Sequence, residues 1–213
     1  TNVKTFSSIL MPGVLHMRHT HLPEHKFVQG QPETGAELAD DLDRIATNFG
    51  GENIAACIVE PIAGSTGTLV PPKGYLQRLR EICDKHGILL IFDEVITGWG
   101  RTGSSFASHE FGVTPDLMTM AKATTNGVVP MGVVACKDEI YDAVMDASPM
   151  GSVELFHGYT YSGIPVAVAA GLAVQDIFEK EDIFNRAKNL APYFQKGLFS
   201  LQDLESVENI RGY

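Results

Sequence analysis

The sequence lacks several features that would assign it to common classes of protein. Its 213 residues hold no apolar run near the roughly 20 residues of a membrane-spanning helix, and the first residues do not resemble a signal peptide. Three cysteines (Cys57, Cys83 and Cys136) without C-x-x-C spacing are typical of buried free thiols in a reducing compartment. Basic residues are scarce, since 16 Lys and Arg stand against 26 Asp and Glu and give a formal net charge of −10. This balance argues against nucleic acid or an anionic membrane surface as a partner, and we expect a soluble, cytoplasmic protein.

Apolar runs of strand length alternate with segments of helical periodicity along most of the chain. The apolar runs predict strands at 54–60, 88–93, 117–121 and 131–136. Helical spacing predicts helices over 35–50, 75–87, 138–145, 165–178 and 183–201. The helix over 165–178 is apolar on nearly every side and is predicted to be buried. The alternation predicts an α/β fold with a mostly parallel sheet that helices cover on both faces.

The chain divides into three parts by composition. Residues 1–34 have no clear period and contain three prolines, which predicts a loop-rich lead-in. Residues 35–180 carry the strand–helix alternation and form the main domain, and charge rises after Glu179, so that 181–213 is expected to begin a further domain. The chain opens without methionine inside a loop and stops at Tyr213 as though entering a strand. We therefore expect a fragment of a longer polypeptide.

A carboxylate and an amine follow two of the predicted strands. The strand at 88–93 ends on Asp93, and the apolar run at 115–122 ends on Lys122. Such groups at neighbouring strand ends are costly unless each finds a partner. A protonated ring nitrogen would satisfy Asp93 and an aldehyde would satisfy Lys122, and pyridoxal phosphate (PLP) offers both. The small or apolar neighbours of Lys122 predict a partly desolvated amine, although most lysines are solvated surface residues.

Glu60 closes the strand at 54–60 at the same edge of the sheet, where open α/β sheets bind their ligands. The alternative for Glu60 and Asp93 is an ordinary turn or cap carboxylate, which is common after strands. Asp93 is the stronger candidate, because the Asp-Glu pair before Val95 has no obvious capping use.

Three other patterns suggest sites and are weaker. Residues 98–103 match the dinucleotide-binding pattern G-x-G-x-x-G, but they do not follow a strand directly and a poor helix comes after them. Four histidines at 16, 19, 21 and 25 lie in a proline-containing loop whose spacing fits no standard zinc site, so no metal is expected. Residues 64–67 (GSTG) could cradle a phosphate, but a plain turn is favoured since no helix follows directly.

The motifs together resemble a known family. The segments 90–103 (LIFDEVITGWGRTG) and 115–127 (PDLMTMAKATTNG) are similar to the PLP-attachment signature of class III (ω-) aminotransferases. Residues 59–61 and 157–165 (HGYTYSGIP) also match blocks of that family. Within it, residues 15–23 (LHMRHTHLP), 30–32 and 155–161 resemble the β-alanine (ω-amino acid)–pyruvate branch. The resemblance covers essentially the whole chain.

The resemblance implies a PLP-transferase fold of type I, with a partial PLP-binding large domain at 35–180 and the truncated start of a C-terminal small domain at 181–213. Lys122 would bind the cofactor aldehyde and then carry the proton of the reaction, and Asp93 would pair with the pyridinium nitrogen. Val95 would pack on one face of the ring, and Glu60 would support the pyridine side of the pocket. Thr160 would bind the cofactor phosphate of the neighbouring subunit, which implies a homodimer with shared sites. The histidine loop would be a structural feature of the family.

The implied reaction moves an amino group from an ω-amino acid or amine to pyruvate. Ornithine- and GABA-type members carry Glu where this chain has Ser65. The absence of Glu at this position favours the pyruvate-using branch. One alternative is a PLP aminomutase of the glutamate-semialdehyde type, which would not need pyruvate. Another is a catalytically incomplete fragment, because the family's main phosphate-binding loop and its substrate-carboxylate arginine would lie outside these residues.

Overall fold

A computed structural model describes residues 6–150, 155 and 157–213. The helices are α1 (Asp40–Phe49), α2 (Tyr75–His86), α3 (Ala107–Phe111), α4 (Asp138–Asp146), α5 (Pro165–Lys180) and α6 (Ile183–Phe199). The strands are β1 (Ala56–Val59), β2 (Leu89–Asp93), β3 (Leu117–Met120) and β4 (Val133–Cys136). Single 3₁₀ turns span Ser7–Ile9, Pro23–His25, Ala36–Ala39, Gly51–Asn53 and Lys122–Thr124. Each predicted strand and helix is present, with ends that differ by a few residues, and the described part of the lead-in is mostly loop.

The four strands form one sheet in the order β1-β2-β3-β4. The pairs β1–β2 and β2–β3 are parallel, whereas β4 returns antiparallel to β3. Connections that contain helices link the parallel strands, and a turn-rich segment without an α-helix links β3 to β4. The predicted α/β fold with a mostly parallel sheet is confirmed.

Helix α2 covers one face of the sheet, and α1 packs beside it. Leu76 and Leu79 of α2 share a core cluster with Leu90 and Phe92 of β2, and none of the four is more than 1% exposed. Side chains alternate along a strand, so Leu90 and Phe92 lie on the same face. Burying one such side chain stabilises the fold by about 1.5–3 kcal/mol. Helix α2 stops at Gly87, whose positive φ of 68° lets its N–H bond back to carbonyls of the last turn.

The opposite face of the sheet is open within the described residues. Ile58 of β1 and Val134 of β4 are 63% and 65% exposed there. The expectation of cover on both faces is wrong for the described residues, because α2 and its neighbour α1 lie on the same side. Cys136 lies two positions after Val134 on this open face and is exposed, so only Cys57 and Cys83 are the buried thiols that the composition predicts.

Helix α5 is largely exposed, in contrast to the buried helix that its composition predicts. Val166 and Leu172 are 57% and 65% exposed. Its buried residues are Ala167, Gly171 and Val174. A Cβ added at Gly171 would lie 3.5 Å from the Thr124 carbonyl oxygen, so this narrow stripe packs on the turn after β3. The apolar composition of α5 predicted burial on every side, whereas the rest of the described chain covers only one stripe of this helix.

No helix in the described ranges combines the length and the apolarity that crossing a membrane requires.

A buried carboxylate ties together the edge of the sheet at which β3 begins. Asp116 Oδ2 accepts hydrogen bonds of 2.7 Å from Arg80 Nη1 and from the Leu90 N–H. Asp116 Oδ1 lies 2.7 Å from Lys137 Nζ. Burial alone raises the pKa of Asp116, but the hydrogen bonds from Lys137, Leu90 and Arg80 outweigh it and hold that pKa below its ordinary value. The carboxylate therefore joins α2, β2 and the end of β4.

Replacing Asp116 by alanine should lower the free energy of unfolding by about 3–5 kcal/mol, because it leaves the half-buried Arg80 without its main partner. Urea titration at neutral pH measures this loss. The exposed Asp84→Ala variant is the matched control, since Asp84 also pairs with Arg80 but at the surface, and it should cost no more than about 1 kcal/mol.

The same network predicts a pH dependence. The folded pKa of Asp116 lies below the unfolded one, so its contribution is complete above the unfolded value of about 3.9 and disappears as the pH falls through the folded pKa. Asp116→Ala should therefore flatten the acid limb of the stability curve. Equal acid sensitivity in the wild type and the variant would contradict this assignment.

Candidate active site

Three candidate side chains lie at or just beyond the ends of three neighbouring strands, at one edge of the sheet. Val59 pairs with Phe92 in the register of β1 and β2, so Glu60 and Asp93 each come next at that edge. Asp93 pairs with Thr119 of β3, and Lys122 follows shortly after that strand ends. The predicted adjacency of the carboxylate strand and the amine strand is thus present in the fold.

The Asp93 carboxylate is held in place on one oxygen. Its Oδ1 accepts hydrogen bonds from the Val95 N–H at 3.1 Å and from Thr119 Oγ1 at 3.3 Å. No described residue donates to Oδ2 of Asp93. These contacts orient the carboxylate from its own loop and from β3, and they leave one oxygen able to accept a hydrogen bond from a ligand.

Lys122 begins the 3₁₀ turn after β3 in an unusual backbone conformation. Its φ is +46°, in the left-handed region that non-glycine residues rarely adopt. The side chain is exposed, and Nζ has neither a hydrogen bond nor an ion pair with any described residue. The expectation of a partly desolvated amine is wrong for the described residues, because the Lys122 side chain is open to solvent. The amine is therefore accessible to a ligand.

Glu60 holds the loop that follows β1. Its Oε2 accepts a hydrogen bond of 3.0 Å from the Gly64 N–H. A Cβ added at Gly64 would lie 2.5 Å from Ile96 Cδ1, so this loop rests directly on the segment after Asp93. The GSTG segment at 64–67 is a turn in which the Gly67 N–H bonds to the Gly64 carbonyl at 3.1 Å, as favoured from the sequence. Ser65 in this turn is exposed.

Val95 and Thr160 differ in how far the structure defines them. Val95 is half-buried and lies directly after the Asp93–Glu94 pair, beside the candidate carboxylate. Thr160 lies in an exposed turn between Tyr159 and Tyr161, which are 79% and 78% exposed. The structure does not bring Thr160 into contact with the other candidate residues, and its role stays a prediction. Residues 151–154 and 156, within or just before the block that resembles the family, lie outside the described residues.

Glu94 is a residue of the site region that the sequence interpretation missed. Its fully buried carboxylate accepts hydrogen bonds from the N–H groups of Ala107 and Ser108, at 2.7 and 2.8 Å, and from Thr97 Oγ1 at 2.9 Å. It therefore caps the start of α3, and the interpretation that the Asp-Glu pair has no capping use is wrong. The capped helix begins 13 positions later in the chain, so no local sequence pattern predicts the contact.

The G-x-G-x-x-G segment serves packing in this fold. Gly100 and Gly103 both have a φ of +85°. A Cβ at Gly100 would lie 2.3 Å from Phe184, and one at Gly103 would lie 2.9 Å from Lys188. Both glycines thus allow α6 to approach this loop, and α3 begins only after the loop has ended.

The histidine-rich loop contains one buried structural residue. His25 is 4% exposed, and its Nε2 lies 3.0 Å from the Thr34 carbonyl oxygen. Its Nδ1 lies 3.2 Å from the Leu22 N–H. Within the described ranges, no group of three or more His, Cys, Asp or Glu side chains is arranged to hold a metal ion.

His21, in the histidine-rich loop, contacts the last residues of the chain. Its Nε2 lies 3.3 Å from Asn209 Nδ2 and 3.4 Å from Arg211 Nη1. Arg211 Nε also donates to the Gly67 carbonyl oxygen at 2.7 Å. Both neighbours of His21 Nε2 are donors, so this nitrogen acts as an acceptor in the neutral ring. Burial, followed by the charge of Arg211, lowers the pKa of His21.

His21 should make the fold less stable in mild acid. The folded state resists protonation that the unfolded chain accepts near pH 6.5, so stability is full above that pH and falls as the pH drops below it. His21→Gln keeps an acceptor but cannot titrate, and it should flatten the curve of unfolding free energy against pH below about 6.5. The exposed His16→Gln variant is the control and should leave the curve unchanged. An unchanged curve for His21→Gln would contradict the prediction.

The fold and this edge of the sheet define an α/β protein with a carboxylate and a lysine amine at the ends of neighbouring parallel strands. A model of the family described as Aminotransferase class-III matches residues 1–213, which is the whole chain. The chain belongs to the class-III aminotransferase family, as its motifs predicted.

Curated relatives agree with this assignment. The chain is 58% identical over 203 residues to an omega-aminotransferase of Caulobacter vibrioides, covering 95% of this chain and 46% of that protein. It is 52% identical over 212 residues to a beta-alanine–pyruvate aminotransferase of Pseudomonas aeruginosa, covering 99% of this chain and 47% of that protein. The chain thus spans about half the length of the curated relatives that it matches.

Solved structures share the fold. A thermostable (S)-enantioselective omega-transaminase from Thermomicrobium roseum superposes with a TM-score of 0.79 at 42% identity, covering 83% of this chain and 39% of that chain. An engineered thermostable omega transaminase superposes with a TM-score of 0.85 at 35% identity, covering 96% of this chain and 46% of that chain. The predicted fold class, part of a transaminase fold, is confirmed.

Proposed function

We propose that this chain carries the cofactor-binding lysine of a PLP-dependent transaminase that moves an amino group from an ω-amino acid or amine to pyruvate. The observation that carries the proposal is the pair Asp93 and Lys122 at the ends of adjacent parallel strands. One carboxylate oxygen of Asp93 and the amine of Lys122 have no partner among the described residues. A carboxylate with a free oxygen and an unpaired amine at neighbouring strand ends suit a ligand that offers an acidic N–H and a carbonyl group.

The residues present fit PLP. The free oxygen of Asp93 suits a protonated pyridine nitrogen, and the Val95 and Thr119 contacts hold that carboxylate still. The exposed Lys122 amine suits the cofactor aldehyde. Bound PLP supplies an electron-withdrawing ring that stabilises negative charge at the substrate carbon. Asp93 would keep the ring nitrogen protonated, and Lys122, once released, would hold and move the proton at Nζ.

Three further residues have supporting roles in the proposal. Val95 would pack on one face of the ring, since it lies next to the candidate carboxylate. Glu60 would act on the pocket through the loop that it holds at Gly64. Thr160, in its exposed turn, would bind the phosphate of the cofactor in a second subunit, so that the protein works as a homodimer with shared sites.

The substrates follow from the relatives and from one residue of this chain. The names of two similar proteins specify pyruvate as the acceptor, with beta-alanine or an omega-amino acid as the donor. Ser65 places no negative charge in the loop after β1, which is compatible with pyruvate as a small acceptor. We also propose a cytoplasmic location and a division into a lead-in at 1–34, a cofactor-binding domain at 35–180 and the start of a small domain at 181–213.

The test begins with reduction by borohydride. Purified protein is incubated with PLP, reduced and digested, and the cofactor mass should appear on the peptide that contains Lys122. Alanine should form from β-alanine and pyruvate. Movement of an amino group within a single substrate, in the absence of pyruvate, would support an aminomutase instead. Folded protein that carries no label at Lys122 would contradict the proposal, whereas label without turnover would indicate a chain that binds the cofactor but is catalytically incomplete.

A further inference from the structure

Trp99, the single tryptophan of the chain, joins two segments near the candidate lysine. Its backbone φ is +59°, and its backbone N–H donates to the Ser105 carbonyl oxygen at 2.6 Å. The indole ring lies edge-on to Phe106, with ring centroids 4.9 Å apart. It also faces Phe178 of α5, at a centroid distance of 6.3 Å. Contacts on two sides therefore fix the direction of the indole N–H.

The indole N–H reaches the turn that begins at Lys122. Trp99 Nε1 donates to Thr124 Oγ1 at 3.0 Å. The Thr124 hydroxyl in turn donates to the Ala121 carbonyl oxygen, also at 3.0 Å. Thr124 is only 4% exposed, so its hydroxyl has little access to water. Trp99 and Thr124 thus form a two-step hydrogen-bonded link to the peptide that precedes Lys122.

This link bears on a strained residue. A left-handed φ at a non-glycine residue persists only where the surrounding contacts determine it. The Lys122 carbonyl oxygen also accepts a hydrogen bond of 3.2 Å from the Gly127 N–H, which closes the turn on its other side. The backbone conformation at Lys122 sets the direction of its side chain, and hence the positions that Nζ can reach.

We propose that Trp99 is a positioning residue for Lys122, acting through Thr124. This inference rests on the proposed function, in which Lys122 binds the cofactor. Without the indole N–H, the turn at 121–124 loses a buried hydrogen bond, and the left-handed conformation of Lys122 becomes less populated. The amine then spends less time where it can react and carry the proton, whereas substrate binding elsewhere in the pocket is unaffected.

Two substitutions remove the link without removing bulk. Trp99→Phe keeps an aromatic ring between Phe106 and Phe178 but has no N–H, and Thr124→Val keeps the shape but has no hydroxyl. Each should lower kcat about five- to tenfold, the scale of one buried hydrogen bond, with KM for pyruvate changed less than about twofold. The double variant should be no worse than Thr124→Val alone, because both changes break the same link.

Hydrogen exchange provides a readout that needs no cofactor. The Thr124 and Gly127 amides should exchange about five- to tenfold faster in both single variants, while the amides of α1 stay as in the wild type. The matched control is Thr47→Val, which removes an exposed hydroxyl that bonds to the Asp43 carbonyl oxygen in α1. It should leave kcat and the exchange of the turn unchanged.

The outcomes separate this inference from the proposed function. Wild-type kcat and wild-type exchange in Trp99→Phe would overturn the role of Trp99, as would fully additive effects in the double variant. A wild-type protein that binds PLP at no lysine would instead contradict the proposed function itself, and with it the role of Trp99. A loss of kcat with faster exchange of the turn, absent in Thr47→Val, supports the link.

Discussion

Replacing Lys122 by arginine is expected to eliminate covalent attachment of PLP and to lower kcat by about 10²–10⁴-fold, the scale of a lost proton-transfer group. Arginine keeps the positive charge and most of the length of lysine, but its guanidinium stays protonated and cannot attack the aldehyde. Because Lys122 is exposed and has no partner among the described residues, the substitution should not affect folding. Borohydride labelling, followed by mass analysis of the peptide, measures the first effect directly.

The matched control for this experiment is Lys180→Arg. Lys180 lies on α5 and pairs with Asp176 at the surface, where its side chain is 75% exposed. This variant should bind PLP and turn over as the wild type does. If Lys122→Arg keeps its full activity and the label appears on another lysine, then Lys122 is not the cofactor lysine.

Replacing Asp93 by asparagine is expected to lower kcat by about 10²–10³-fold, the usual scale of one electrostatic group in an active site. The asparagine oxygen can still accept from the Val95 N–H and the Thr119 hydroxyl, so the local fold should survive. The neutral amide cannot, however, stabilise a protonated ring nitrogen. Labelling of Lys122 should continue, because the amine and the aldehyde are unchanged, while the visible absorbance of the bound cofactor should shift.

The control for Asp93→Asn is Asp142→Asn, a change of the same kind at an exposed position on α4. It should leave the absorbance and kcat unaltered. Full activity in Asp93→Asn would contradict the assignment of Asp93 to the ring nitrogen. A loss of Lys122 labelling in that variant would instead indicate that Asp93 mainly shapes the site.

Much of this site region could be predicted from local sequence patterns. An apolar run that ends abruptly on Asp93 marks the end of a buried parallel strand, and parallel strands end at a common edge. The same reasoning brings Glu60 to that edge. The long signature around Asp93 and Lys122 predicted the family, because spacing over two strand–loop units rarely arises by chance.

Other features were beyond local patterns because they depend on contacts between distant parts of the chain. Glu94 looks like a second candidate acid beside Asp93, yet it is buried against the backbone of α3. Trp99 looks like part of a glycine-rich motif, yet its N–H meets Thr124. Neither partner lies within one helical turn of its residue, so neither periodicity nor capping rules can find it.

Burial was the other quantity that composition could not supply. The apolar helix α5 is covered along one stripe, and Lys122 is exposed although its neighbours in the chain are small or apolar. The sequence by itself determined the alternation of strands and helices, the strand-end carboxylates and the lysine, since these follow from local patterning of apolar residues. Only the tertiary structure decided which carboxylate keeps a free oxygen and which caps a helix, and how the Lys122 turn is held. These features depend on which distant segments pack together.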